Sequence, residues 1–170
     1  MNFYGKSDIG KKRSTNQDNF ACKMIGEALL CAVCDGMGGM SGGSVASELA
    51  IRTFVSNVEN AITALQQPEE IFGKIPNILT EAVKAANASV YQESKDHDEL
   101  TGMGTTLTAA LILQNKLFAV NVGDSRIYQI NHTGIVQITH DHSYVQYLVD
   151  VGQITQEEAA NSPNKNLITR

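Results

Sequence analysis

The chain has 170 residues, of which 42% are hydrophobic and 18% charged, a composition typical of one globular domain and not of a disordered segment. The formal net charge is −5, which excludes the basic surface that binds nucleic acid or an anionic membrane. No apolar run approaches the roughly 20 residues that span a bilayer. The first residues also lack the basic start and apolar centre of a signal peptide, so we expect a cytoplasmic protein.

The three cysteines agree with a reducing compartment. Cys31 and Cys34 form a C-x-x-C sequence, but residues three apart in a strand point to opposite faces, and no second pair accompanies them. We therefore interpret them as small hydrophobic residues of the interior.

The first half of the chain predicts two strands followed by two helices. An apparent strand begins at Phe20, and the apolar run 29–34 predicts a second, buried strand. Ser44 is a plausible N-cap for a helix that carries apolar residues at helical spacing as far as Leu65. Pro68 interrupts that pattern, and a second helix is predicted from about Ile78 to Tyr91.

The second half predicts mainly strands. Residues 105–113 alternate and are rich in β-branched side chains, and Gln114-Asn115 is a plausible turn into a strand at 117–122. A second hairpin joins 126–130 to 135–138 through the turn 131–134, and a helix at 143–151 ends at Gly152. Helices packed on antiparallel strands define an α+β fold, and we expect a single domain over residues 1–170.

Three polar clusters interrupt the apolar pattern, and each places a carboxylate at the end of a strand. The clusters are Arg13–Asp18, Asp35-Gly36 with a loop holding five glycines, and Gly123–Arg126. Oxygen ligands without a convincing His or Cys set favour a hard cation such as Mg²⁺ or Mn²⁺. Arg13 has the planar fork that binds two phosphate oxygens, and the open glycine loop leaves room for metal, water and phosphate. Together these features predict phosphoryl chemistry at two metals about 3.5–4 Å apart.

Other chemistries fit the sequence less well. No cysteine has an arginine six positions later, as a phosphocysteine mechanism requires, and the glycine loop lacks the G-K-[ST] of a nucleotide P-loop. Asp96-His97-Asp98 lies in a polar stretch and is interpreted as solvated surface. His140-Asp141-His142 is as consistent with a structural role as with a metal site, and Gly-Asp-Ser-Arg by itself favours an ordinary turn.

Five motifs in this order resemble the PPM family, the metal-dependent serine/threonine phosphatases also called protein phosphatase type 2C, and its bacterial branch in particular. They are Arg13-x-x-Asn16-Gln17-Asp18, Asp35-Gly36-Met37-Gly38-Gly39, Gly102-Met103-Gly104-Thr105-Thr106, Gly123-Asp124-Ser125-Arg126 and Thr139-x-Asp141-His142-Ser143. The resemblance implies a β-sandwich flanked by helices (α-β-β-α layers) with a binuclear Mg²⁺ or Mn²⁺ centre. Metal-activated water would then hydrolyse phosphoserine or phosphothreonine without a phosphoenzyme, opposing a Ser/Thr kinase in signalling.

The resemblance also implies roles for individual residues. Asp35 would bridge the two metals, with the Gly36 carbonyl and Asp18 in the same centre. Arg13 would bind phosphate, and Asp124 would help to hold a third, weaker metal. Residues 143–170 would form the flap beside the active site and influence substrate choice.

The sequence departs from the family pattern in two places. Met37 stands where some relatives carry a histidine that could protonate the leaving group, so no general acid is assigned. The later Asp-Gly and Gly-x-Asp-Asn motifs are absent, so we expect about the first two-thirds of a catalytic domain, with weakened metal binding, little or no activity and an exposed strand edge open to self-association. The alternatives are a non-catalytic phosphoprotein-binding module and, with less support, a nucleotide-binding protein.

Overall fold

The computed structural model describes residues 2–39, 42–65 and 68–169. The strands in these ranges are β1 (Asp18–Ile25), β2 (Ala28–Met37), β3 (Gly104–Thr105), β4 (Leu107–Leu113), β5 (Lys116–Val122), β6 (Tyr128–Asn131) and β7 (Gly134–Gln137). The helices are α1 (Gly42–Thr63), α2 (Pro68–Asp96), α3 (Tyr144–Asp150) and α4 (Gln156–Asn161), with one 3-10 turn at Asp98–Leu100.

One five-stranded antiparallel sheet organises the fold. Its strand order is β1-β2-β4-β5, with β3 also paired to β2, and β6 and β7 form a separate hairpin. A two-residue turn closes β1 and β2, with Gly26 at φ +58° in the first central position that a type II′ turn reserves for glycine. Gln114 and Asn115 have φ of 49° and 61°, the type I′ conformation, so the predicted turn between β4 and β5 is confirmed.

The helices α1 and α2 cover one face of the sheet. Phe54 and Val58 of α1 and Ile75 of α2 are fully buried against the strands. On the opposite face the apolar side chains are more open: Phe20 is 42% exposed and Val33 44%. The sheet therefore has one packed face and one accessible face.

The helix bounds differ from the sequence prediction at both long helices. α1 starts at Gly42, ahead of Ser44, and Gly43 in its first turn packs against Gly36 of β2. α2 starts at Pro68, a position in the first turn where proline costs no hydrogen bond, and continues through Pro76. Burial of Ile75 and Leu79 offsets the interior proline.

Three further differences from the sequence prediction concern the start of β1, the strand predicted at 105–113 and the helix α4. β1 begins at Asp18, not Phe20, so this carboxylate lies on the strand itself. The predicted strand 105–113 is interrupted at Thr106, which separates β3 from β4. The short helix α4, held by a capping box at Thr155, was not predicted because it lacks an apolar stripe.

Candidate metal and phosphate site

Asp18 and Asp35 lie directly opposite each other on neighbouring strands. A two-residue hairpin closes with a hydrogen-bonded pair, here Ile25 and Ala28, and such pairs alternate with closer, non-hydrogen-bonded ones along the ladder. Counting back from the turn makes Asp18–Asp35 one of the close pairs, with Cα atoms about 4.5 Å apart. Like charges in this position repel, so the pair is poised to accept a cation.

The charge environment of Asp35 shows that four predicted site residues share one place. Asp35 lies on the accessible face but is partly surrounded by protein, and this desolvation raises its pKa above the ordinary value. The negative charges of Asp18 and Asp124 raise the pKa further, whereas the Arg13 guanidinium lowers it. Residues separated by more than a hundred positions in the sequence therefore act on one carboxylate.

A depression of about 220 Å³ opens beside the acidic pair. Its lining includes Arg13, Asp18, Asp35 and Gly36, as predicted, and also Asp8. Asp8 was not predicted as a site residue, because Asp8 lies in an irregular segment without a strand or glycine signal. Asp124 is not part of this lining and acts on Asp35 through its charge.

The backbone of Asp35 is held by the two threonines at the break between β3 and β4. The Asp35 N–H donates to the Thr106 hydroxyl at 2.9 Å, and the Asp35 carbonyl accepts from the Thr106 N–H at 2.9 Å and the Thr105 hydroxyl at 3.0 Å. The Thr106 and Ser125 hydroxyls are hydrogen-bonded at 2.8 Å. This network links the Asp35 strand end to the turn that carries Asp124.

Some glycines of the loop serve close backbone packing, whereas Gly39 has open space beside it. A Cβ on Gly36 would lie 2.0 Å from the Gly43 carbonyl oxygen, so β2 and α1 touch here through bare backbone. Gln17 completes the junction: its carbonyl accepts from the Gly36 N–H at 3.2 Å and from the Ser47 hydroxyl at 2.6 Å. Met40 and Ser41 of the same loop lie outside the described residues.

The Asp124 turn is tied to the segment that precedes α3. Arg126 donates to both carboxylate oxygens of Asp141, at 2.6 to 3.0 Å, and the Asp141 side chain is only 6% exposed. The His142 N–H donates to the Gly123 carbonyl at 2.9 Å. The His142 ring accepts from the Gly123 N–H at 3.3 Å, whereas the His140 ring contacts Asp150, so the two imidazoles have different partners.

The donor set agrees in kind with Mg²⁺ or Mn²⁺, since carboxylate and carbonyl oxygens are the ligands that hard cations prefer. The number of donors is small. Within residues 2–39, 42–65 and 68–169, no group of three or more His, Cys, Asp or Glu side chains is arranged to hold a metal ion. Among the same residues, no helix is both long and apolar enough to cross a membrane.

Comparison with known proteins agrees with this geometry. Residues 5–167 match the family model described as protein phosphatase 2C. The chain is 39% identical to the serine/threonine protein phosphatase PstP of Mycobacterium tuberculosis over 170 residues, which is 100% of this chain and 30% of PstP.

Two solved structures extend the comparison. The structure superposes on serine/threonine phosphatase Stp1 of Staphylococcus aureus with a TM-score of 0.85 at 39% identity, covering 95% of this chain and 62% of Stp1. It superposes on the catalytic domain of PstP in complex with two manganese ions with a TM-score of 0.76 at 38% identity, covering 91% of this chain and 61% of that domain.

The fold is thus that of the metal-dependent phosphatases, an α+β architecture, as the sequence predicted. The chain belongs to the protein phosphatase 2C family. It spans less than two-thirds of the length of each relative compared.

Proposed function

We propose that this chain supplies the acidic pair and the phosphate-binding arginine of a bacterial metal-dependent serine/threonine protein phosphatase. The observation that carries the proposal is the direct cross-strand pairing of Asp18 with Asp35, beside a depression that Arg13 also lines. Its substrates would be phosphoserine and phosphothreonine proteins in the cytoplasm, modified by a Ser/Thr kinase.

Charge balance explains why such a site would need cations. Asp8, Asp18 and Asp35 line the depression with Arg13, so three carboxylates face one guanidinium. A phosphate group carries negative charge and would be repelled from this surface. Bound divalent cations would reverse the sign, and they would supply an activated water for attack on phosphorus.

The remaining roles follow from the side chains themselves. Asp18, Asp35 and the Gly36 carbonyl would hold two Mg²⁺ or Mn²⁺ ions, and Asp124 would contribute to a third, weaker site. Arg13 would bind two phosphate oxygens with its planar fork and orient the phosphorus toward Asp35. Met37 carries no ionisable proton, so the side chain at this position would not protonate the leaving alkoxide, and the general acid is unassigned.

We further propose that the 170 residues by themselves bind metal weakly and turn over little substrate. Each cation takes about six oxygen ligands, more than the Asp18, Asp35 and Asp124 carboxylates and the Gly36 carbonyl provide. Residues 1–170 would act as one unit of a larger catalytic domain, with 143–170 as its flap and the β1 edge open to self-association. The alternative is a phosphoprotein-binding module that keeps the fold without turnover.

Titration of the purified chain with Mn²⁺ in a calorimeter, with and without a phosphothreonine peptide, tests the site. We expect weak Mn²⁺ binding that Asp35→Asn abolishes and that Asp98→Asn, an exposed acid in the 3-10 turn, leaves unchanged. Equal binding by both variants would contradict the assignment. Rapid Mn²⁺-dependent phosphate release by the wild-type chain would contradict the low activity proposed for it.

The amino-acid sequence encoded beyond Arg170 would distinguish the phosphatase from the binding module. Downstream Asp-Gly and Gly-x-Asp-Asn motifs would complete the ligand set and support the enzyme. A sequence without them, in a chain that binds the phosphothreonine peptide but releases no phosphate, would support the binding module.

A further inference from the structure

Cys22 and Cys31 are partners across the β1–β2 ladder. Both are partly accessible, and both line a depression of about 810 Å³ on the sheet face opposite α1 and α2. Cys34 differs: it is 1% exposed, it belongs to the core beneath α1, and its strand partner is Asn19. The sequence alone suggested a pair of Cys31 and Cys34, because those two are close in the sequence, whereas the strand pairing joins Cys22 and Cys31.

The register sets the distance between Cys22 and Cys31. Counted from the hydrogen-bonded pair at the hairpin turn, Cys22–Cys31 is a non-hydrogen-bonded pair, with Cα atoms about 4.5 Å apart and side chains on the same face. Disulfides join residues whose Cα atoms are about 4.4–6.8 Å apart. The backbone therefore already holds the two thiols at bonding range.

The two thiols also influence each other directly. Burial raises the pKa of Cys31 to about 12, and Cys22 adds to the rise as a hydrogen-bond partner and as a like charge. Such an effect requires close approach of the side chains. It also keeps Cys31 protonated at neutral pH, so the pair should react slowly and persist as thiols in a reducing compartment.

We propose that Cys22 and Cys31 form a cross-strand disulfide when the protein meets hydrogen peroxide. The peroxide oxidises one thiol to a sulfenic acid and leaves as water. The partner sulfur then attacks the sulfenic sulfur, the S–S bond forms, and the hydroxyl departs as a second water with the partner's proton. In total the two thiols lose two electrons and two protons, and the peroxide is reduced to two waters.

This bond would join the two strands that carry the acidic pair. Asp18 is four residues from Cys22, and Asp35 is four residues from Cys31, so all four side chains project from one face of the ladder. A disulfide there would fix the register that sets the two carboxylates opposite each other. The inference rests on the strand geometry alone and does not depend on the proposed function.

Oxidation of the purified chain with hydrogen peroxide, followed by unfolding and alkylation with N-ethylmaleimide, tests the proposal by intact mass. We expect one maleimide on the oxidised protein and three on the reduced protein, since the chain has three cysteines. Peptide fragmentation should place the single maleimide on Cys34. We expect the oxidised chain to unfold at a higher temperature than the reduced chain, and a reducing agent to reverse the shift.

Two comparisons test whether the folded structure, and not closeness in the sequence, selects the pair of cysteines that forms the disulfide. Oxidation in denaturant should give mixed pairings that include Cys31–Cys34, whereas the folded chain should give only Cys22–Cys31. The variants Cys22→Ala and Cys31→Ala should each form no disulfide after peroxide, with folding checked by circular dichroism. Consumption of Cys34 in the folded wild type, a disulfide-linked dimer, sulfinic acid in place of a disulfide, or three unmodified thiols would each overturn the proposal.

Discussion

Replacing Gly36 by alanine is the most direct test of how the strand end and α1 are joined. The new Cβ would lie 2.0 Å from the Gly43 carbonyl oxygen, 2.5 Å from its carbonyl carbon and 2.6 Å from the Gln17 carbonyl oxygen. All three atoms are backbone, so no side-chain rotation can relieve the overlap. Overpacking costs about 1–3 kcal/mol, and a contact between rigid backbones should lie at the upper end, about 3 kcal/mol.

Urea unfolding of the metal-free chain measures this cost. With a slope of about 2 kcal/mol per molar urea, a loss of about 3 kcal/mol lowers the midpoint by about 1.5 M. Gly104→Ala is the matched control, because Gly104 pairs with Met37, the neighbour of Gly36 on β2. Its added Cβ would meet only the flexible Met37 side chain, at 3.4 and 3.6 Å. A Gly36→Ala midpoint within about 0.3 M of the Gly104→Ala midpoint would refute the reasoning.

The other predictions concern the core, an ion pair and a helix cap. Phe54→Ala removes a fully buried ring and should lower the free energy of unfolding by about 4 kcal/mol in the same urea experiment. Arg126→Gln leaves the buried Asp141 carboxylate with the Gln137 amide but without its cation and should cost about 2 kcal/mol, a value reduced because Arg126 is 43% exposed, whereas Asp141→Asn should cost less. Hydrogen bonds from the backbone and side chain of Thr155 lower the pKa of Glu158 below 4.5. Amide exchange should therefore show α4 protected above that pH and losing protection as the pH falls through the lowered pKa, and Glu158→Gln, which removes the titrating carboxyl, should remove this acid dependence.

The sequence predicted the site residues as separate clusters but not the contacts that hold them. Thr105 and Thr106 appeared only as part of a motif, and nothing in their spacing indicated that they clamp the Asp35 backbone. Gln17 likewise reads as a polar residue before a strand. Its carbonyl accepts hydrogen bonds from Gly36 on β2 and from Ser47 on α1. These contacts depend on how α1 packs against the sheet, which is tertiary structure.

Local patterns alone predicted the main strands, the hairpin turns at 114–115 and 131–134, and the apolar faces of α1 and α2. The turn at Gly26 was not predicted. The causes of the predicted features act within a few residues: alternation, helical spacing, and turn positions that require positive φ. The extension of α2 through Pro76 depended on burial of Ile75, which outweighs local propensity.

Tertiary structure alone decided which side chains meet. The register of one hairpin sets Asp18 against Asp35 and Cys22 against Cys31, and a one-residue slip would turn half of these side chains to the other face. Asp124 comes from a distant turn and reaches the same carboxylate only because the sheet brings its strand ends together. The sequence therefore determined which residue types are available for chemistry, and the sheet determined their distances, because pairing between strands is not encoded in any short segment.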